Sequence, residues 1–151
     1  MRITKSNINE FIKDSLMGCT NKGITHIEYI PDGITRLDCW NNKLTELPKL
    51  PNSLIGLYCG DNKLTELPKL PNSLTGLFCH NNKLTELPKL PNSLIGLFCS
   101  NNQLTELPKL PNSLYYLDCK HNNLPYLINI DNFKEHNTLI KRKEILSKIC
   151  G

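Results

Sequence analysis

Leucine and isoleucine return along this chain at intervals of three, three, four and three residues, and the whole spacing repeats after 20. Leu44, Leu47, Leu50, Leu54 and Leu57 make up one such set. The nine letters LTELPKLPN that open it return verbatim at Leu64, Leu84 and Leu104. A divergent copy starts at Ile24, where Ile24, Ile27, Ile30, Pro31 and Ile34 fall in register with Leu44, Leu47, Leu50, Pro51 and Leu54. Five units therefore run from Ile24 to Asn123, and a period of this length marks an array of stacked supersecondary units.

Within a unit the pattern changes character. Around Gly56-Leu57-Tyr58-Cys59-Gly60, strict alternation puts Leu57 and Cys59 on one face and Gly56, Tyr58 and Gly60 on the other, as a half-buried strand requires. After Asn62 the chain must return within about ten residues, and Pro48, Pro51 and their equivalents forbid a regular helix there. An extended, polyproline-like return is expected. Stacked turns then give a parallel sheet on the concave side, Pro-rich segments on the convex side, and leucines between them.

A stack of turns exposes apolar surface at both ends, so both need covers. Residues from Ile8 to Leu16 predict a short amphipathic helix with Asn7 as N-cap, Glu10 three residues on, and Ile8, Phe11 and Ile12 on its apolar side. A longer helix is expected from Asn132 to Ile149, capped by Asp131, with Phe133, Leu139, Leu146 and Ile149 available for packing. The division that follows is an N-terminal helical cap over residues 1–23, a solenoid over 24–130 and a C-terminal helical cap over 131–151.

The pattern L-x-x-L-x-C-x-x-N-x-L, seen at Leu54, Leu57, Cys59, Asn62 and Leu64 and again one period later, resembles the leucine-rich repeat. The subtype it is similar to is the short one in which L-P-x-L-P follows the strand, as in YopM-like and IpaH-like bacterial effectors, and Cys-bearing repeats of this kind also occur in giant-virus proteins. The resemblance covers about two-thirds of the chain. It implies an α/β repeat solenoid, a right-handed superhelix with a concave parallel sheet, and a non-enzymatic role in holding a partner protein. For an effector or viral protein it also implies the cytoplasm of a host cell. The related ubiquitin-ligase effectors carry their activity in a separate C-terminal domain, for which the stretch after Leu124 is too short.

Composition narrows the function. Eighteen Lys and Arg against 14 Asp and Glu leave a net charge of +4. The only basic run, Lys141-Arg142-Lys143, reads as a solvated helix face. The outer face carries alternating columns, Glu46, Glu66, Glu86 and Glu106 beside Lys49, Lys69, Lys89 and Lys109, whereas a nucleic-acid groove would be uniformly basic. No nucleic-acid partner is expected. The N-terminus lacks the apolar run of a signal peptide and no stretch approaches the length of a membrane span, so a soluble, intracellular protein without a membrane partner is expected. Seven cysteines, an odd number with six of them at one-repeat spacing, fit a reducing compartment better than a disulfide scaffold.

Cys39, Cys59, Cys79, Cys99 and Cys119 should form one inward column at about 4.8 Å spacing, and Cys19 extends it. A thiol column could bind soft metals or trade disulfides, but a tetrahedral zinc site does not suit ligands in a line. The expected role is that of a small hydrophobe, with no metal and no cofactor. Asn42, Asn62, Asn82, Asn102 and Asn122 stand where each strand ends and leaves backbone groups unpaired, which a buried amide can satisfy. Cys79 and His80 are neighbours, yet alternation sends them to opposite faces and excludes a nucleophile and base pair there. No catalytic residues are expected.

The columns that differ between copies lie on the concave side. They run Arg36, Gly56, Gly76, Gly96, Tyr116, then Asp38, Tyr58, Phe78, Phe98, Asp118, then Trp40, Gly60, His80, Ser100, Lys120. Three aromatics stack in the open, flanked by glycines expected to leave them uncovered. Such stripes commonly mark interaction sites, although ring stacking or inheritance by duplication would also account for them. The docking residues expected are Asp38, Trp40, Tyr58, Phe78, His80, Phe98, Tyr115, Tyr116 and Asp118. The partner is a protein and the chain a monomer. The alternatives are self-association through the stripe or an open end, and an amplified or engineered array with no ligand.

Overall fold

The computed structural model describes residues 1–150, and side chains through residue 148. Leu37, Leu57, Leu77, Leu97 and the cysteines beside them are fully or almost fully buried, while the residues between them stay open to solvent, so alternation selects the strands β5 (Arg36–Asp38), β6 (Gly56–Tyr58), β7 (Gly76–Phe78), β8 (Gly96–Phe98) and β9 (Tyr116–Asp118). Each is parallel to the next in strict one-repeat register, Leu57 beside Leu77 and Phe78 beside Phe98. The Pro-rich returns carry no helix. Leu44, Leu47, Leu50 and Leu54, with their equivalents, fill the interior between sheet and return.

Each turn reverses direction at a residue with positive φ. Asn21, Asn41, Asp61, Asn81, Asn101 and His121 all lie at 51° to 55°, and short polar side chains tolerate that region best. The ladder asparagine comes next. Asn82 Nδ2 donates to the Cys59 and Cys79 carbonyls at 3.0 and 3.1 Å, and Asn82 Oδ1 accepts the Leu64 N–H at 2.9 Å. Asn42, Asn62, Asn102 and Asn122 repeat the scheme. At the other end of each strand the Ser73, Ser93 and Ser113 hydroxyls reach carbonyls of the preceding turn at 2.6 to 2.7 Å. Among the described residues no buried side-chain polar atom lacks a partner.

The N-terminal cover differs from the expected helix. Asn7 does not cap one: Asn7 Oδ1 turns back to accept the Thr4 N–H at 2.8 Å, and only a 3-10 turn, Ile8–Phe11, follows. The chain then extends as β2 (Ile12–Lys13), reverses at Asp14 with φ 55°, and returns as β3 (Leu16–Gly18). The physical reason is the neighbouring edge. Parallel pairing of β3 with β5 places Met17 beside Leu37 and adds a further turn to the sheet, while Ile8 and Phe11 still reach the interior. β1 (Arg2–Ile3) and β4 (His26–Ile27) pair as a separate two-stranded sheet.

At the far end the expected helix forms as α1 (Phe133–Cys150), but Asn132 and not Asp131 precedes its first turn, the Asn132 carbonyl accepting the Glu135 and His136 N–H groups. It is docked by its first turns alone. Asn137 clasps Leu110, donating to its carbonyl at 2.7 Å and accepting its N–H at 2.8 Å. The buried His136 ring meets the Tyr126 hydroxyl at 2.9 Å and the Pro108 carbonyl at 3.2 Å. Phe133 packs inward, but Leu139 and Leu146, expected to pack as well, are exposed, because it is Ile140, Lys143 and Glu144 that face the array, across a cavity from Lys89, Leu90 and the Pro108–Ser113 return; Ile149 lies outside the described side chains. No helix among the described residues is long and apolar enough to cross a membrane.

Candidate partner-binding surface

The sheet face turned away from the interior gathers most of the expected docking residues. Tyr58, Phe78 and Phe98 form one pile, with ring centroids 4.5 and 4.6 Å apart and planes within 9° and 6° of parallel. The flanking glycines do not leave these rings uncovered. A Cβ on Gly56, Gly76 or Gly96 would stand 3.0, 3.1 or 3.2 Å from the ring two residues on, so each ring lies down over its own glycine. The rings are half-buried as a result, and they turn mainly edges to solvent.

The first end of the pile is closed by the chain itself. The Arg36 guanidinium sits 4.2 Å from the Tyr58 ring centre and 3.3 Å from Asp38 Oδ2, and the Thr20 hydroxyl donates to Asp38 Oδ1 at 2.6 Å. At the other end Tyr115 and Tyr116 stand out as an edge-to-face pair, 69% and 56% exposed, with Asp118 half-buried beside them.

Trp40 and His80 belong to a second cluster centred on a residue the column pattern did not single out. Trp40 Nε1 donates to Asp61 Oδ2 at 2.6 Å, His80 Nε2 lies 3.4 Å from the same oxygen, and Asn81 Nδ2 donates to Asp61 Oδ1 at 2.9 Å. Gly60 makes room for this, since a Cβ there would meet the His80 ring at 2.6 Å. Asp61 is the one acid in a positive-φ column of five other residues, and that departure was the available signal. Ile55 and Ile95, both exposed, were also missed. Alternation would bury them with Leu57 and Leu97, but the ladder strands start one residue later.

Solved structures share this architecture. An effector leucine-rich-repeat domain from Shigella is 35% identical, with a TM-score of 0.76 over 83% of this chain and 59% of its own. YopM from Yersinia enterocolitica WA-314 is 38% identical, with a TM-score of 0.71 over 74% of this chain and 26% of its own. YopM from Yersinia pestis, a leucine-rich effector protein, is 36% identical with a TM-score of 0.73, over 79% of this chain and 34% of its own. The chain is a leucine-rich-repeat protein. It spans between 26% and 59% of the length of these relatives. No protein-family model and no curated protein matches it.

The cysteine and asparagine columns of this leucine-rich-repeat protein form ladders that point into the stack of turns. All six described cysteines are free and buried. Burial pushes the Cys19 and Cys79 thiols from 9.0 up to about 12, and holds Cys39, Cys59 and Cys99 well above 9.0, where the charge of neighbouring thiols adds to the effect. Such thiols are poor nucleophiles. Cys79 is fully buried while the neighbouring His80 lies on the solvent face. Among the described residues no three His, Cys, Asp or Glu side chains converge as metal ligands would.

Proposed function

We propose that this leucine-rich-repeat array is a protein-interaction module that takes up a partner protein on its concave sheet face. The observation that carries the reading is the aromatic character of this face, where the Tyr58–Phe78–Phe98 pile is followed on the next strand by the exposed edge-to-face pair Tyr115 and Tyr116. Aromatics held rigid in this way lose little conformational entropy on binding and are the side chains that dominate interface energetics. Ile55 and Ile95 widen the apolar area along one flank, and the Trp40–Asp61–His80 cluster supplies fixed polar groups along the other. The likeness to effector repeat domains supports an interaction role of this general kind.

The test is affinity capture from a eukaryotic cell lysate with the intact protein, Tyr115→Ser/Tyr116→Ser and Phe78→Ser/Phe98→Ser side by side. Loss of the same captured protein with both variants is expected. Equal retention by all three would remove the face from consideration. A second reading, self-association, is favoured by one specific feature: among the described residues no strand pairs with the outer edge of β9, and Leu117 is only partly buried where Leu97 is fully so. Mass in solution that rises with concentration would favour that reading.

A further inference from the structure

The aromatic pile has two ends, and the chain treats them differently. At the first, Arg36 stands beside Gly56 in the strand register and Asp38 beside Tyr58. The guanidinium lies on the Tyr58 ring face at 4.2 Å while its Nη2 reaches Asp38 at 3.3 Å. At the second end the register places Tyr116 beside Gly96 and Asp118 beside Phe98. An acid therefore borders both terminal rings, but the position held by arginine at one end is held by tyrosine at the other. Tyr116 does not stack on Phe98; its ring turns to Tyr115. Among the described residues the Asp118 carboxylate forms no ion pair, and its one recorded hydrogen bond is from the Lys120 backbone N–H at 3.3 Å.

We infer that the Phe98 ring face, Tyr116 and Asp118 form a recognition slot for an arginine side chain presented by the partner protein. The proposal rests on the docking function above and specifies its chemistry. A guanidinium is flat, weakly hydrated and a forked donor, so it can stack on a ring and pair with a carboxylate at once, which a compact ammonium does less well. The Arg36 end shows that this backbone and spacing accommodate that combination. The negative charge of Asp118 is complementary to the cation, and half-burial shields the pair from part of the solvent.

The experiment uses Nα-acetyl-arginine methylamide as probe, whose blocked ends leave the guanidinium as its only charge, titrated into the full chain and followed by NMR at Phe98 and Asp118. Saturable shifts at both are expected, with a dissociation constant on the order of tens of millimolar for so small a ligand. Asp118→Asn, which keeps the acceptor for Lys120 but loses the charge, should bind at least about threefold more weakly. Nα-acetyl-lysine methylamide should bind more weakly than the arginine probe. Arg36→Ala should open a second site, with new saturable shifts at Tyr58 and Asp38. Absence of saturation in the intact protein, or equal binding by Asp118→Asn, would overturn the inference; so would Arg36→Ala without a second site. A protein captured from lysate through the aromatic face and indifferent to Asp118→Asn would leave the docking function standing and remove the arginine slot alone. Probe binding without any captured protein would do the reverse.

Discussion

Replacing Asn82 by alanine should cost this protein a large part of its stability, although the change removes only a small side chain from one turn of several. The Leu64 N–H, next to a fully buried leucine, has Asn82 Oδ1 as its acceptor at 2.9 Å and loses it. An orphaned buried donor costs about 1–3 kcal/mol. The three carbonyls that share the two N–H groups of Asn82 Nδ2 fare better, since Cys59 O keeps Asn62 Nδ2 at 3.2 Å, Cys79 O keeps Asn102 Nδ2 at 3.0 Å and His80 O keeps the Asp61 N–H at 3.0 Å, so that two bonds' worth is lost among them. Each lost bond there is worth about 0.5–1 kcal/mol. The sum is about 2–5 kcal/mol, comparable to much of the total stability of a small domain. Urea unfolding followed by circular dichroism measures it. The midpoint should fall sharply with the slope unchanged if the array unfolds as one unit. A loss below about 1 kcal/mol would refute the reasoning, because it would mean that water replaces the amide without cost and that the ladder does not tie the turns together.

Three further outcomes follow from the thiols and the covers. Cys19, Cys39, Cys59, Cys79, Cys99 and Cys119 should resist an alkylating reagent at neutral pH until urea unfolds the chain, as mass spectrometry would show. Their raised folded-state values make stability level below about pH 8 and falling above it: unfolded thiols ionise near 9.0, folded ones at about 12 for Cys19 and Cys79, and each contributes about 1.4 kcal/mol per pH unit in that window. Flat stability between pH 8 and 10.5 would contradict this. Asn137→Ala removes both bonds to Leu110 and should cost about 1–2 kcal/mol, with amide exchange accelerated through α1 more than through β5–β8. Uniform acceleration would show that the helix is no separate unit.

The repeat made the interior legible in advance. Once Leu57, Cys59 and Asn62 are seen to recur, their burial and bonding follow from turn-on-turn stacking alone, and the cysteine and asparagine columns stand where the spacing puts them. The ends were harder because they have no second copy to compare with. Ile8, Phe11 and Ile12 have helical spacing, yet an unpaired strand edge at β5 offered the chain more hydrogen bonds than an isolated short helix could. The solvent face was half legible. Reading one column at a time located the ring pile but not Asp61, whose partners Trp40 and His80 lie in another column, one turn before and one turn after it.

The joints between β6, β7 and β8 are chemically almost the same joint: Gly beside Gly, Leu beside Leu, ring beside ring. A turn in the middle of the array cannot tell which turn it is. Removing or inserting one whole 20-residue unit there would bring together surfaces that already meet elsewhere in the molecule, so the array can change length without any interior contact having to be reinvented. Length is then set by the two unlike ends, and what distinguishes one variant from another is how far apart the acid-bordered ends of the ring pile are held, in steps of about 4.8 Å.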